Sequence, residues 1–475
     1  MIGYLLSLIM LLEAAFLTLP MATALIYGES ILPFLYTIAI LIAVALPSII
    51  FRPKNKSIFA KEGFVCVGAS WILLSAFGAL PFVFSGAIPN YIDAFFETVS
   101  GLTTTGATIL GEIESLGRGI LFWRSFTHWI GGMGILVLVT AVVPNIADRS
   151  LNILKAEMPG PTVGKLVPRS RDTAKILYYI YFGMTVILTM LLIAGGMPVF
   201  DSIVHAFGTA GTGGFGIKAD SIASYSPYLQ WVITVFMFLF AINFNLYYLI
   251  LLRNFRTFFK SDELWFFIAL VLFSIGAITF NILPLFDTFS EAVRASAFQV
   301  CSIVSTTGYA TADFNLWPGL SKALLVLLMF VGGCAGSTGG GLKAARVVIL
   351  IKSIGKELKR LLHPRSVKTV MSEGKRLDDE TLNGVTSYFA VYTICIMAVF
   401  ILLSFEPFDF ETNFTASVAC FNNIGPGLAG VGPASSFAEY SGFSKIVLSF
   451  AMLLGRLEVF PLLLGLNPLI WKKQK

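Results

Sequence analysis

The chain has 475 residues, 56% of them hydrophobic and 13% charged, with mean hydropathy +0.82 and formal net charge +6. Soluble domains carry charge on about one residue in four, so this composition excludes a soluble enzyme, a disordered chain and a disulfide-stapled scaffold. What remains is an all-α polytopic membrane protein, and the net charge is too small to suggest nucleic acid.

A membrane-crossing helix needs about 20 apolar residues. In chain order that length picks out 4–26, 31–51, 64–84, 120–143, 176–196, 228–252, 264–285, 320–350, 383–405 and 443–470, about ten transmembrane helices. The first, MIGYLLSLIM onward, has no basic leader and no small-residue cleavage site, so a retained helix is expected. The eighth is long and broken by glycine, and the tenth carries Arg456 near its middle. Lys and Arg gather at 52–61, 149–175, 253–260, 343–376 and in the WKKQK tail. The positive-inside rule puts these stretches, and both termini, in the cytoplasm. The opposite connections hold the bases Arg118, Arg124, Lys218, Arg294, Lys322 and Lys445. Their acids are Asp93, Glu97, Glu112, Glu114, Asp201, Asp220, Asp287, Glu291, Asp313, Asp409 and Glu411. An acid surplus there attracts cations. Five scattered cysteines without a CxxC pair read as small buried hydrophobes.

The informative pattern is repetition. After two N-terminal helices the other eight pair up, and each pair is joined on the outer side by an apolar, glycine-bearing segment: DAFFETVSGLTTTGAT (93–108), DSIVHAFGTAGTGGFG (201–216), EAVRASAFQVCSIVSTTGYAT (291–311) and TNFTASVACFNNIGPGL (412–428). Each offers roughly ten residues for a short helix, then a turn rich in Gly, Thr and Asn. Aligning Gly106, Gly214, Gly308 and Gly425 makes Thr105, Gly213, Thr307 and Ile424 equivalent. The expected organisation is an extension over 1–60 and four helix–pore loop–helix units, at 61–148, 172–256, 262–352 and 378–475, arranged with pseudo-fourfold symmetry.

Irregular backbone at membrane depth is tolerated only where protein buries it or water lines it. Four such turns meeting on one axis can replace the water shell of a cation with carbonyl oxygens. Glycine accepts the backbone angles this requires, Thr adds a hydroxyl, and a short helix aims its negative end at the site. The expected filter is Thr104, Thr105, Gly106, Gly213, Gly214, Thr306, Thr307, Gly308, Asn423, Ile424 and Gly425. The competing reading is that small-residue turns only pack helices; four turns in register favour the pore.

SGLTTTGAT (100–108), HWIGGMGI (128–135), GTGGFG (211–216), STTGYAT (305–311), GGCAGSTGGGLK (332–343) and LLGRLEVFPLL (453–463) resemble the Trk/Ktr/HKT superfamily of potassium transporters. The two extra helices, AEMPGP (156–161) and KLVPR (165–169) point to its bacterial TrkH branch. The resemblance covers nearly the whole chain. It implies potassium uptake across the bacterial cytoplasmic (inner) membrane, with the ion held by Thr105, Gly106, Gly213, Gly214, Thr307, Gly308, Ile424 and Gly425. It also implies a homodimer with one pore per subunit, and a cytosolic TrkA-like regulatory ring that binds nucleotide (ATP, ADP or NAD). The match is imperfect. No turn reproduces TVGYG, the second and fourth lack the Thr-Thr pair, and the fourth offers Asn422 and Asn423 instead. Fewer equivalent ligands imply looser discrimination, whereas four intact glycines favour potassium over sodium.

Six glycines within 332–341 cannot hold a stable helix, each costing about 1 kcal/mol relative to Ala. That stretch reads as a movable loop below the filter, with Gly336, Ser337, Thr338, Gly339, Gly340, Gly341 and Lys343 as gate residues; a close helix crossing is the alternative. Arg456, costly inside a membrane, reads as a second gate element that repels cations, the alternative being an ion pair with Glu458 or another carboxylate. Glu458, two residues away, faces elsewhere on a helix and needs a partner from another span. His128 reads as an anchor at a helix interface and His205 as a buried polar residue. The run 355–368 reads as a cytoplasmic face beside anionic membrane lipid. No GxxxxGK[ST], and no GxGxxG after a strand, is present, so no organic cofactor is expected on this chain. Rival readings are a sodium- or proton-coupled symporter and a non-conducting sensor or scaffold. An intramembrane enzyme fits least, for want of HExxH, GxSxG or paired catalytic carboxylates.

Overall fold

The computed structural model describes residues 2–50, 60–134, 170–364, 369–460 and 462–463. The AEMPGP and KLVPR stretches, the WKKQK tail and the second half of the fourth expected span lie outside the described residues. The regular structure of the described residues is helical apart from one two-residue hairpin, β1 (Met371–Ser372) paired with β2 (Lys375–Arg376).

Helices α1 (Ile2–Phe16) and α2 (Thr18–Ile26) make one 25-residue apolar span interrupted at Leu17, and α3 (Leu32–Ile50) packs back along α1. Then come α4 (Ala60–Gly78) with α5 (Leu80–Phe84), the short α6 (Tyr91–Leu102) and α7 (Arg118–Gly132). The second unit has α8 (Ser170–Ala194), the short α9 (Val199–Ala210) and α10 (Pro227–Phe240), followed by α11 (Phe244–Leu251) and a single turn α12 (Phe255–Phe258). The third has α13 (Asp262–Ile282), α14 (Phe289–Val304), α15 (Gly319–Val331) and, beyond the glycine loop, α16 (Ala344–Leu362). The fourth has α17 (Asp379–Leu403), α18 (Phe410–Phe421) and α19 (Gly442–Arg456).

Local chemistry starts these helices where they start. Asn90, Thr288 and Asp378 accept backbone N–H groups at 2.9, 3.2 and 2.9 Å at the first turns of α6, α14 and α17. Pro227 opens α10, where its missing N–H costs nothing. Six apolar spans long enough to cross a membrane stand among the described residues: Ile2–Ile26, Leu32–Ile50, Gly63–Phe84, Thr173–Ala194, Asp262–Leu285 and Asp379–Leu403. Large apolar side chains on them face outward, among them Tyr179, Phe273, Phe280 and Ile401. Such a belt suits hydrocarbon and not water.

Two spans, the sixth and the tenth, depart from the expected continuous helices, and the eighth breaks at its glycines as expected. The sixth bends by 92° between α10 and α11, at a break over 241–243 that holds neither Gly nor Pro. The eighth is not one long helix: α15 has 13 residues, about 20 Å of rise, then the chain leaves helical geometry until α16. The tenth breaks after Arg456, with Glu458 and Val459 in the left-handed region at φ 56° and 58°, and returns to helix at Phe460.

Each short helix packs against its own unit and against the helix that follows the short helix of the unit before it. Helix α9 meets α7, α14 meets α10, α18 meets α15, and α6 closes the circle on α19. One core runs through this circle, with Trp71, Phe96, Trp123, Tyr181, Phe240, Phe298 and Phe421 buried in it. All five cysteines are free, four of them buried and Cys395 half-buried.

Candidate functional site: a ring of four turns and the loop beneath it

The four short helices end in turns of one geometry. In each, the residue one before the aligned glycine donates its N–H five residues back into the helix: Thr105 to Ser100, Gly213 to Gly208, Thr307 to Ser302 at 2.8 Å, and Ile424 to Ala419 at 2.9 Å. The residue two before the glycine takes left-handed backbone: Thr104 φ 56°, Thr212 φ 53°, Thr306 φ 60°, Asn423 φ 56°. The glycines do the same, at 80° for Gly106, 78° for Gly214, 84° for Gly308 and 97° for Gly425. A β-branched residue with positive φ is an outlier costing about 1–3 kcal/mol, the kind of strain that gathers at functional sites. Three threonines share it at one register position.

The turns also close on one another. A side chain added to Gly106 would run into the carbonyl oxygen of Gly213, one on Gly214 into that of Thr307, and one on Gly308 into that of Ile424. One on Gly425 would sit 2.7 Å from that of Thr105. First to second, second to third, third to fourth and fourth to first, the ring is complete. It brings together every filter residue named from sequence, and it adds Thr212, which shares the register position of Thr104, Thr306 and Asn423. Thr212 stands two before Gly214 as Thr104 stands before Gly106, and that offset is the signal that finds it.

The Asn422 side chain is committed at both its ends, whereas Asn423 is held through its nitrogen and keeps a buried side-chain oxygen without a hydrogen-bond partner among the described residues. Asn422 accepts from the Tyr392 hydroxyl at 2.6 Å and donates to the Val418 carbonyl at 2.9 Å. Asn423 donates to Thr105 Oγ1 and to the Met452 carbonyl, both at 2.9 Å. Asn423 lashes the fourth turn to the first and to α19, and Asn422 ties it to α17 through Tyr392.

One face of the ring opens into a cavity of about 180 Å³ lined by Ala107, Thr108, Phe215, Ala310, Pro426 and others. The acids expected to make this side attractive to cations are in part neutralised. Glu97 is no surface group: it is fully buried against Arg124 at 2.7 Å and also accepts from Thr108 Oγ1 and the Ile109 N–H. Asp93 pairs with Lys445 at 2.7 Å, Glu411 with Lys322 at 3.7 Å and Asp201 with Arg118 at 3.9 Å. The Glu97–Arg124 pair has a structural use that its sequence positions hide. Arg124 reaches across to the Gly216 carbonyl at 2.9 Å, while its guanidinium lies 3.6 Å from the centre of the Phe215 ring. The first and second turns are thereby joined on the cavity side.

The glycine loop crosses the other face. Gly340 donates its N–H to Thr306 Oγ1 at 2.7 Å, and side chains added to Gly339 or Gly340 would strike the Ser305 and Asn422 carbonyls, at the ends of α14 and α18. The loop is docked on the broken sixth span. Cys334 N–H donates to the Ala241 carbonyl at 2.8 Å, the Thr338 hydroxyl to the Phe240 carbonyl at 3.2 Å, and Phe244 N–H to the Gly336 carbonyl at 3.1 Å. The bend that sequence does not announce thus supplies the groups that hold the loop. One carboxylate grips both its ends: Glu263 accepts from Ala335 N–H at 2.6 Å and Ala345 N–H at 3.0 Å. Ser337 donates to Cys334 O at 2.6 Å and Lys343 Nζ to Gly339 O, so both polar groups fold the loop on itself. Gly332, Gly336 and Gly341 take positive φ, as does Lys343 at 75°.

Arg456 is tied to the loop. Its guanidinium donates to the Thr338 carbonyl at 2.8 Å and to the Gly131 and Gly132 carbonyls at the end of α7, the latter at 2.7 Å. Glu458 pairs instead with Arg346 on α16, whose guanidinium also lies 4.0 Å from the Tyr388 ring centre. The partner required from another span is therefore Arg346, 112 residues away in sequence. His205 is buried and its Nδ1 is 2.7 Å from the Asp201 carbonyl within its own helix.

A family model described as a cation transport protein, TrkH, matches residues 33–470. The chain belongs to the TrkH family. Potassium uptake proteins TrkH of Salmonella typhimurium and TrkG of Escherichia coli K12 are 36% and 34% identical to it, over 98% and 95% of this chain and 98% and 94% of their own. The crystal structure of the potassium transporter TrkH from Vibrio parahaemolyticus superposes with TM-score 0.89 at 32% identity, over 99% of both chains. As a TrkH-family chain it is a multi-pass helical membrane protein, in agreement with its composition. The same relatives are named as uptake proteins and transporters, not as enzymes.

Proposed function

We propose that this chain conducts potassium into the cell through the ring of four turns, by channel-like permeation in which carbonyl oxygens replace the water shell of the ion and no bond is made or broken. The closed circle of carbonyl against glycine carries this reading: packing alone does not require four strained turns to interlock in cyclic order. Backbone oxygens in a rigid ring suit a large monovalent cation that sheds water readily. In this reading the ion is cargo, met by the backbone oxygens of the four turns. The relatives' printed names support potassium as that cargo.

Purified protein in liposomes, supplied with potassium, rubidium or sodium alone, is expected to pass the first two well above the third. That preference should persist when no sodium or proton gradient is imposed. Flux that requires either gradient would favour the symporter; absence of flux in folded protein would favour the scaffold.

The glycine loop and Arg456 form the gate in this reading, because both lie on the face of the ring away from the cavity and are bonded to each other. A partner controls it. The relatives are named as parts of a Trk system, and nucleotide-binding motifs are missing here. The basic stretches, with α16 exposing Ile354, Leu358 and Leu361 beside Lys356 and Lys359, suit a membrane surface or a docking protein. We take the working assembly to be a homodimer on a cytosolic nucleotide-binding ring, with both termini on that side. Conductance should then respond to ATP, ADP or NAD only when the ring protein is added. A nucleotide response from this chain by itself would sink the idea.

A further inference from the structure

We infer that His128 is a positioning residue of the ring, taking for the second turn the part that a pair of side-chain hydroxyls takes in the first and third. The inference deepens the reading of the ring as the selective element and rests on it.

The first and third turns are braced from within. Thr103 and Thr105 hydroxyls lie 2.8 Å apart, and Ser305 and Thr307 hydroxyls, at the same two positions, lie 2.7 Å apart. The second turn has Gly211 and Gly213 there. Without a substitute it would be the floppiest quarter of the ring, since glycine restrains its neighbours least. The space is not empty. A side chain on Gly213 would overlap the Nδ1, Cγ and Cε1 atoms of His128, and one on Gly211 would overlap the main chain of the same residue. Helix α7 inserts an imidazole where the first and third turns carry their own hydroxyls.

The imidazole is bonded at both ends. Nδ1 lies 2.8 Å from the Gly101 carbonyl oxygen, and Nε2 accepts the Phe215 N–H at 3.2 Å. A carbonyl can only accept and an N–H can only donate, so Nδ1 carries the proton, Nε2 is bare, and the ring is neutral in one tautomer. Gly101 lies in the last turn of α6, and Phe215 follows the ring glycine Gly214. His128 therefore spans from the helix that ends in the first turn to the backbone just past the second. Phe215 is clamped on both sides, its ring centre 4.2 Å from that of His128 and 3.6 Å from the Arg124 guanidinium. A residue that only filled space would need no nitrogen at either end.

The test uses liposome flux of potassium and of sodium through the full chain. His128→Leu, close in volume but without nitrogens, should lower the potassium-to-sodium flux ratio by about tenfold, as expected when a buried N–H loses its acceptor. His128→Gln, whose carboxamide oxygen can reach the Phe215 N–H, should recover part of it. Equal ratios for Leu and Gln would mean a filler and overturn the assignment. Should the leucine variant not purify as folded protein, Ala takes its place in the same comparison. Gly213→Ala should damage selectivity in the native background, where it collides with the imidazole, yet add little in a His128→Ala background, where it does not. Additive effects would overturn the inference as well. Gly308→Ser serves as the control: if it loses selectivity while every His128 variant keeps it, His128 has no such role and the ring reading stands. If Gly308→Ser and its counterparts at Gly106, Gly214 and Gly425 all keep wild-type selectivity, the ring reading fails and this inference with it.

Discussion

Gly308→Ser is expected to remove most of the preference for potassium over sodium while leaving a leak of both. The residue has φ 84°, where a Cβ is strained whatever the surroundings. Here the surroundings are worse still, because the added carbon would lie on the Ile424 carbonyl oxygen and 2.9 Å from Pro426 Cδ. Neither is the free end of a flexible chain. The third and fourth turns must move apart, and the oxygens that replace water around the ion move with them. A hydrated sodium ion tolerates such a ring better than a dehydrated potassium ion does. Gly106, Gly214 and Gly425 meet neighbouring carbonyls in the same way, so Gly→Ser at each should act in the same direction. Measured with each cation alone, wild-type flux ratios in all four variants would show that the turns pack helices and do not select ions.

Removal of Arg456 is expected to raise basal flux without a partner protein and to leave selectivity nearly unchanged. At an effective dielectric near 20, a positive charge about 6 Å from a cation costs roughly 3 kcal/mol, about a hundredfold in occupancy. Arg456→Ala removes that barrier and also releases the Thr338 carbonyl, hence the middle of the loop. Shortening the loop within Gly339–Gly341 should act likewise, since Gly340 is bonded to Thr306 directly under the ring. Rubidium uptake by liposomes carrying Arg456→Ala, the shortened loop, or both would measure the effect. Unchanged uptake in folded protein would return loop and arginine to a packing role. A collapse of selectivity would mean that they prop the ring from below.

What could be read from sequence were the features that backbone angles force on residue type. A left-handed position inside packed protein calls for glycine, and a strand of carbonyls after a short helix calls for Gly and Thr at fixed offsets, so the four turns and the loop at 332–341 are visible in one dimension. Long-range pairs are not. Nothing around Arg346 names Glu458, and nothing around Glu97 removes it from a list of surface acids; only the folded chain brings these charges together. The bend over 241–243 is silent for a related reason. No Gly or Pro marks it, and the break is stabilised by bonds from Cys334, Gly336 and Thr338 about a hundred residues later. His128 is the intermediate case: its neighbours HWIGGMGI are conspicuous, but its use becomes visible only beside the glycines of another turn.

Because one polypeptide carries all four quarters of the ring, each quarter can be altered by itself. In a pore made from four copies of a chain, any change to the turn is imposed at every corner at once, and most such changes are intolerable. Here the corners have diverged in their scaffolding while keeping a common backbone. Hydroxyl pairs hold two of them, an imidazole from a neighbouring helix holds the third, and two lashed asparagines hold the fourth. In the pore proposed above, the ion's frame has four corners built by three different methods. Tuning such a pore becomes a problem of single corners, in which permeation can be shifted by degrees without ever discarding the whole frame.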